Sequence, residues 1–158
     1  MGTPLFVLTG WLYPTIKEHP LTDPIHGSCL CGQSRFTIVP PFRGFQYCHC
    51  SRCRKASGTA HAANIFVLKD QLAWLEGEGG AKRFDLPEAK WWSTAFCGAC
   101  GAALPWLSRN GRAWVVPAGA LDDDPGEKPR RSIYFGSKAS WYEHVSDMPM
   151  FDTFPEDT

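Results

Sequence analysis

A mainly β fold is what this sequence predicts. Short runs rich in Val, Ile, Thr, Phe, Trp and Tyr recur along it, Gly, Pro and Asn punctuate them, and no long apolar stripe at helical spacing competes with them. At 158 residues the chain fits one domain, large enough to bury a core of its own. Bound metal would then add to stability rather than replace that core.

The elements follow in order. Residues 1–24 carry Pro4, Pro14, Pro20 and Pro24 without clear periodicity, and read as an extension preceding a domain over 25–154. Between Met1 and Thr15 there is no basic n-region, uninterrupted apolar run or small-residue cleavage site, so neither a signal peptide nor a membrane helix is expected. Gly2 opens no myristoylation motif, because Phe6 stands where Ser or Thr is required. Strands are expected over 34–39, 60–68, 82–86, 91–96, 103–108, 113–118 and 132–135, each bounded by turn-forming residues. Short helical turns are expected over 51–56 and 70–75. Asp122, Asp123, Asp124, Pro125, Gly126 and Pro129 make 121–131 a solvated loop.

Charge narrows the function classes. Sixteen Lys and Arg balance sixteen Asp and Glu, and no basic tail is present, so nothing favours nucleic acid or an anionic membrane. A local basic patch can still hold a small anion.

The seven cysteines fall into three tight clusters: Cys29 and Cys31; Cys48, Cys50 and Cys53; Cys97 and Cys100. An odd count at Cys-x-Cys and Cys-x-x-Cys spacing reads as reduced metal ligands in a cytoplasmic protein rather than as a disulfide framework. Structural zinc takes four ligands, commonly two short pairs far apart in sequence, whereas catalytic zinc takes three and keeps a position open. Cys29, Cys31, Cys97 and Cys100 supply the first set, each pair followed by a glycine suited to a tight turn, Gly32 and Gly101. Cys48, Cys50 and Cys53 supply the second.

Three thiolates on Zn²⁺ leave the second centre at a net charge of about −1, which makes it a weaker Lewis acid than a tris-histidine zinc. Such a centre suits an incoming thiol better than it suits the making of hydroxide. Arg52, Arg54 and Lys55 interleave with the triplet, either to offset its charge and pair with substrate carboxylates or simply as solvated surface.

The motifs Gly27-Ser28-Cys29-Leu30-Cys31-Gly32, Cys48-His49-Cys50-Ser51-Arg52-Cys53-Arg54-Lys55-Ala56-Ser57-Gly58 and Phe96-Cys97-Gly98-Ala99-Cys100-Gly101 resemble the glutathione-dependent formaldehyde-activating family, also called the centromere protein V/Gfa type. The resemblance runs from Ile25 to Phe154, through Phe135-Gly136-Ser137-Lys138-Ala139-Ser140-Trp141 and Asp147-Met148-Pro149-Met150-Phe151. It implies a single-domain β-tent of the Mss4-like kind with two zinc ions. The structural ligands would be Cys29, Cys31, Cys97 and Cys100, and the catalytic ligands Cys48, Cys50 and Cys53. The implied activity joins formaldehyde to glutathione as S-(hydroxymethyl)glutathione, formally a carbon–sulfur lyase in reverse. The competing reading is a zinc-stabilised binding module without catalysis, in which His49 or His61 closes the second site.

Other residues are less decided by pattern. His49 lies between two expected ligands and is read as pointing to solvent, with a role in tuning the metal as the alternative. His61 is a candidate hydrogen-bond donor near the centre or an ordinary strand histidine. His19, His26 and His144 have no cluster around them. Trp91, Trp92, Phe96 and Trp106 are read as core or as pocket lining, Ser57 and Gly58 as a turn or a ligand-facing loop, and Lys138 as a contact for an anionic substrate. Asp147 and Pro149 are read as ending the fold.

Overall fold

The computed structural model describes residues 23–143 and 148–153. Most of the expected N-terminal extension, with His19, lies outside the described residues, as do His144, Asp147 and Phe154.

The described chain is mainly β, in three sheets. In order it forms β1 (Ile25–Ser28), β2 (Arg35–Ile38), β3 (Gly44–Cys48), helix α1 (Ser51–Ser57), β4 (Ala62–Leu68), β5 (Leu72–Glu76) and β6 (Ala81–Asp85). There follow β7 (Ser93–Cys97), β8 (Ala103–Leu104), β9 (Trp106–Leu107), β10 (Ala113–Pro117) and β11 (Arg131–Ile133). One sheet runs β1-β2-β5, a second β11-β3-β4-β10-β9, and a third β6-β7-β8.

Alternation explains the core. Ile65 and Val67, two apart on β4, point to one face, as do Phe36 and Ile38 on β2; all four are fully buried, with Leu104 and Val116. Trp74 lies edge-on to Phe36 at 5.8 Å and to Trp114 at 6.4 Å, which ties the first sheet to the second. Cys29 and Cys97 belong to this apolar cluster and Cys100 packs against it, so one cysteine group is rooted in the core, with Cys31 at the surface.

The expected strands over 34–39, 60–68, 82–86, 91–96 and 113–118 appear as β2, β4, β6, β7 and β10, and the expected helical turn over 51–56 as α1. Three expectations need correction. The turn expected over 70–75 is only the 3-10 turn Lys69–Gln71; from Leu72 the chain is β5, because pairing with β2 (Ile38↔Leu72, Phe36↔Trp74) buries Leu72. The one strand expected over 103–108 is two, since Pro105 has no N–H to donate. There the chain leaves β7, the partner of β8, for β10, the partner of β9. The strand expected over 132–135 ends at Ile133, because Tyr134 turns out of it at φ 54°. Two strands, β1 and β3, have no counterpart in the sequence reading.

The loop over 121–131 is anchored at its start. Asp123 accepts hydrogen bonds from the His26 amide and faces the His26 ring, both at 2.8 Å, while Ser28 Oγ donates to Asp122 at 3.0 Å. This loop delivers β11 alongside β3 as a parallel pair, with Ile133 opposite Cys48. The C-terminal part of the chain is thereby laid over the end of β3, where the second cysteine group begins.

Candidate functional site

Two groups of thiols assemble. Cys29, Cys31, Cys97 and Cys100 form one and Cys48, Cys50 and Cys53 the other, with the sulfurs of each group within 4.8 Å of one another. No disulfide joins any of the seven.

The four-cysteine group sits where two hairpin ends meet, the β1–β2 turn and the β7–β8 turn. Zinc–sulfur bonds of about 2.3 Å at tetrahedral angles place sulfurs about 3.8 Å apart. Cys29 and Cys31 Sγ lie 3.5 Å apart and Cys31 and Cys97 Sγ 3.8 Å, so the donor set fits such an ion. The two turns are built alike: Gly32 and Gly101 adopt φ values of 74° and 75°, a left-handed conformation that directs the following amides, those of Gln33 and Ala102, at the sulfurs of Cys31 and Cys100.

Electrostatics makes the same case. Burial opposes ionisation of Cys29, but the Ser34 amide and the sulfurs of Cys31, Cys97 and Cys100 outweigh it and bring its pKa from 9.0 down to about 6. Cys31 gains from the Gln33 amide, yet the neighbouring Cys29, with burial and the other two sulfurs, lifts it to about 11. The Ala102 amide, helped by that of Cys31, lowers Cys100. One thiolate thus raises the cost of the next, a conflict that a divalent cation among them relieves.

The second group is local. Cys48 ends β3, Cys50 caps α1, and Cys53 lies in its first turn, where its amide donates to Cys50 Sγ at 3.5 Å. The helix closes at Gly58, whose amide bonds Arg54 O at 2.9 Å. The Cys53 thiol beside it brings Cys48 down to about 6 against the effect of burial, with Cys50 assisting. Cys48 in turn pushes Cys53 well above the ordinary thiol range, burial adds to this, and the Trp92 indole opposes it.

His49 does not point to solvent. Its ring is wholly shielded and enclosed edge-on by His61 at 5.1 Å, Phe135 at 5.0 Å and Tyr142 at 5.1 Å, while Tyr47 stacks on His61 at 4.1 Å. The reason is the parallel pairing, in which the His49 amide bonds Ile133 O at 3.0 Å and Phe135 follows directly over the ring. Burial, then the fields of His61, Arg54 and Lys138, lower the His49 pKa and keep the ring neutral. Neither ring nitrogen has a hydrogen-bond partner among the described residues.

The structure also sorts the cations around the triplet. Cys50, Cys53 and Arg54 are spaced three and four apart and share a face of α1, whereas Arg52 and Lys55 are exposed on other faces. Among the described residues neither His49 nor His61 joins the three sulfurs as a fourth ligand. Trp92 reaches Cys53; Trp91 is exposed, and Trp106 lies on β9, away from the triplet's own elements. Ser57 caps its own helix by donating to Cys53 O at 2.9 Å, so it belongs to the turn. His26 pairs with Asp123 on the far loop.

Residues 24–137 match the sequence profile of a family described as glutathione-dependent formaldehyde-activating enzyme. The chain belongs to that family. A curated protein of Halomonas elongata, provisionally named a glutathione-dependent formaldehyde-activating enzyme, is 32% identical over 129 residues, covering 75% of this chain and 80% of that protein. Among solved structures, a crystal structure of a Rhodobacter sphaeroides protein superposes with a TM-score of 0.52 at 21% identity, over 66% of this chain and 98% of that one, and shows the same fold. All seven cysteines fall inside the span matched to the family.

Proposed function

We propose that the chain is a zinc-dependent enzyme that makes and breaks a carbon–sulfur bond, joining the thiol of glutathione to formaldehyde. The two cysteine groups are assigned different tasks. Cys29, Cys31, Cys97 and Cys100 hold a structural zinc; Cys48, Cys50 and Cys53 hold the zinc of the reaction. The observation that carries this reading is the three-sulfur group, which no fourth side chain among the described residues completes.

Cys48, Cys50 and Cys53 would hold the zinc, whose chemistry when bound would be to lower the pKa of an incoming thiol while leaving its sulfur electron-rich. The chain's own residues set the conditions. Cys50 fixes the start of α1 and Cys53 its first turn, so the helix presents two sulfurs from a rigid frame against Cys48 at the end of β3. His49, enclosed by the rings of His61, Phe135 and Tyr142, anchors the loop between Cys48 and Cys50. In the overall change the thiol sulfur bonds to the aldehyde carbon, the carbonyl π pair moves to oxygen, and the proton lost by sulfur ends on that oxygen. The reverse change releases aldehyde and thiol. The family name and that of the Halomonas relative support glutathione and formaldehyde as the pair.

Cys50→Ser tests the assignment cleanly, because serine is itself a good helix N-cap and preserves the fold while removing a sulfur ligand. Two zinc ions per chain are expected for the wild type and one for the variant, with formation of S-(hydroxymethyl)glutathione, followed by NMR, lost in the latter. Full turnover by folded C50S would refute the proposal.

A further inference from the structure

We propose that Arg54 and Lys138 form a carboxylate-binding subsite beside the Cys48/Cys50/Cys53 centre, which selects thiols that also carry a carboxylate. Its place in the reaction rests on the thiol reading above; its existence as an anion subsite does not.

Arg54 is the inward cation of α1. It shares a helical face with Cys50 and Cys53 and is partly buried, and its Nε is shielded from solvent without a hydrogen-bond partner. Among the described residues no carboxylate pairs with it. A shielded guanidinium donor without an acceptor is costly to keep, and an arginine presents its donors as a planar fork matched to carboxylate. Charge balance of the thiolate centre accounts for a nearby cation. It does not account for an N–H held dry and unpaired.

Lys138 arrives from a different part of the chain. After β11, Tyr134 takes its left-handed turn, a strained conformation for a residue with a side chain, and leads into the 3-10 turn Phe135–Ser137. The Lys138 amide bonds Phe135 O at 3.0 Å and its Nζ stands 5.9 Å from the centre of the Phe135 ring, which lies against His49. Lys138 likewise has no carboxylate partner among the described residues. Two cations without a carboxylate partner among the described residues, the half-buried Arg54 on the Cys50/Cys53 face of α1 and the exposed Lys138 over Phe135, thus flank His49, the residue that links Cys48 to Cys50, and both act on its ring. A ligand that places sulfur at the triplet and a carboxylate on these cations satisfies both features at once.

The test uses S-methylglutathione, which keeps both carboxylates but has no free thiol, and its dimethyl ester, which has neither. Calorimetric titration of the zinc-loaded wild type should show the acid binding more tightly than the ester by on the order of ten-fold or more, as expected for a charge-assisted hydrogen bond. Arg54→Gln and Lys138→Gln should each reduce that preference without changing ester binding, and Arg54→Lys should restore only part of it. Equal binding of acid and ester to the wild type, no binding of the acid, or an undiminished preference in both Gln variants would overturn the proposal. The wild-type comparison needs no variant to fold. The thiol reading is judged separately, on cobalt-substituted protein: if glutathione leaves the metal spectrum unchanged while S-methylglutathione still binds in preference to its ester, the subsite stands and that reading falls.

Discussion

Replacing Cys29 by serine should separate the structural centre from the reactive one by stability alone. Cys29 is 3% exposed and packed within the apolar core cluster, and its group joins residues 66 positions apart, Cys31 and Cys97. Treated as a cross-link, closure of a loop that long removes chain entropy worth about 4 kcal/mol. For a chain of this size each kcal/mol moves the thermal midpoint by about 2–4 °C, so loss of most of the clip lowers it by on the order of 10 °C. Cys50→Ser removes a ligand from a group whose three members lie close together in sequence, from the end of β3 to the first turn of α1, where little loop entropy is at stake. Its midpoint should therefore stay close to the wild type. Thermal unfolding followed by circular dichroism, with zinc content measured on the same samples, checks both variants. Equal destabilisation by the two, or a C29S midpoint within about 3 °C of the wild type, would refute the division into a clip and an open centre.

Two further outcomes follow from the same structure. Gly101 lies at φ 75° with nothing within 4 Å of where a Cβ would stand, so Gly101→Ala should carry only the backbone penalty, about 1 kcal/mol, seen as a small drop in midpoint of the zinc-loaded protein. Asp85, held by Arg83 and then by Ser93, has its pKa lowered from 3.8 to about 2. A depressed carboxylate contributes stability above its ordinary pKa and loses it as the pH falls toward its folded value. The midpoint difference between wild type and Asp85→Asn should accordingly shrink between about pH 4 and pH 2, and a difference that is constant over that range would contradict the assignment.

How much could be read in advance depended on whether the signal was local. Cysteine pairs spaced for one metal are a local signal, and their sorting into four and three matches the groups that the fold assembles. The strands richest in β-branched and aromatic residues were legible for the same reason. β3 carries Phe45 and Tyr47, but Gly44, Gln46 and a cysteine break up that signal, and it is held as a strand between β4 and β11. The burial of His49 was not legible at all, since the rings around it come from positions 61, 135 and 142. Arg54 is a different case: its spacing from Cys50 and Cys53 would have set it apart from Arg52 and Lys55 once 51–56 was taken as helical.

The parallel pairing of β11 with β3 also fixes an order of events during synthesis. The Cys48/Cys50/Cys53 group is complete as soon as one short helix has been made, and the four-cysteine clip only when Cys100 has emerged. Phe135 and Tyr142, which enclose His49, and Lys138, which stands over Phe135, come last. The three thiols therefore exist before the rings that bury the histidine between two of them. A nascent chain halted before β11 already has all three sulfurs of that group but none of Phe135, Lys138 and Tyr142, so His49 there lacks two of the three rings that shield it.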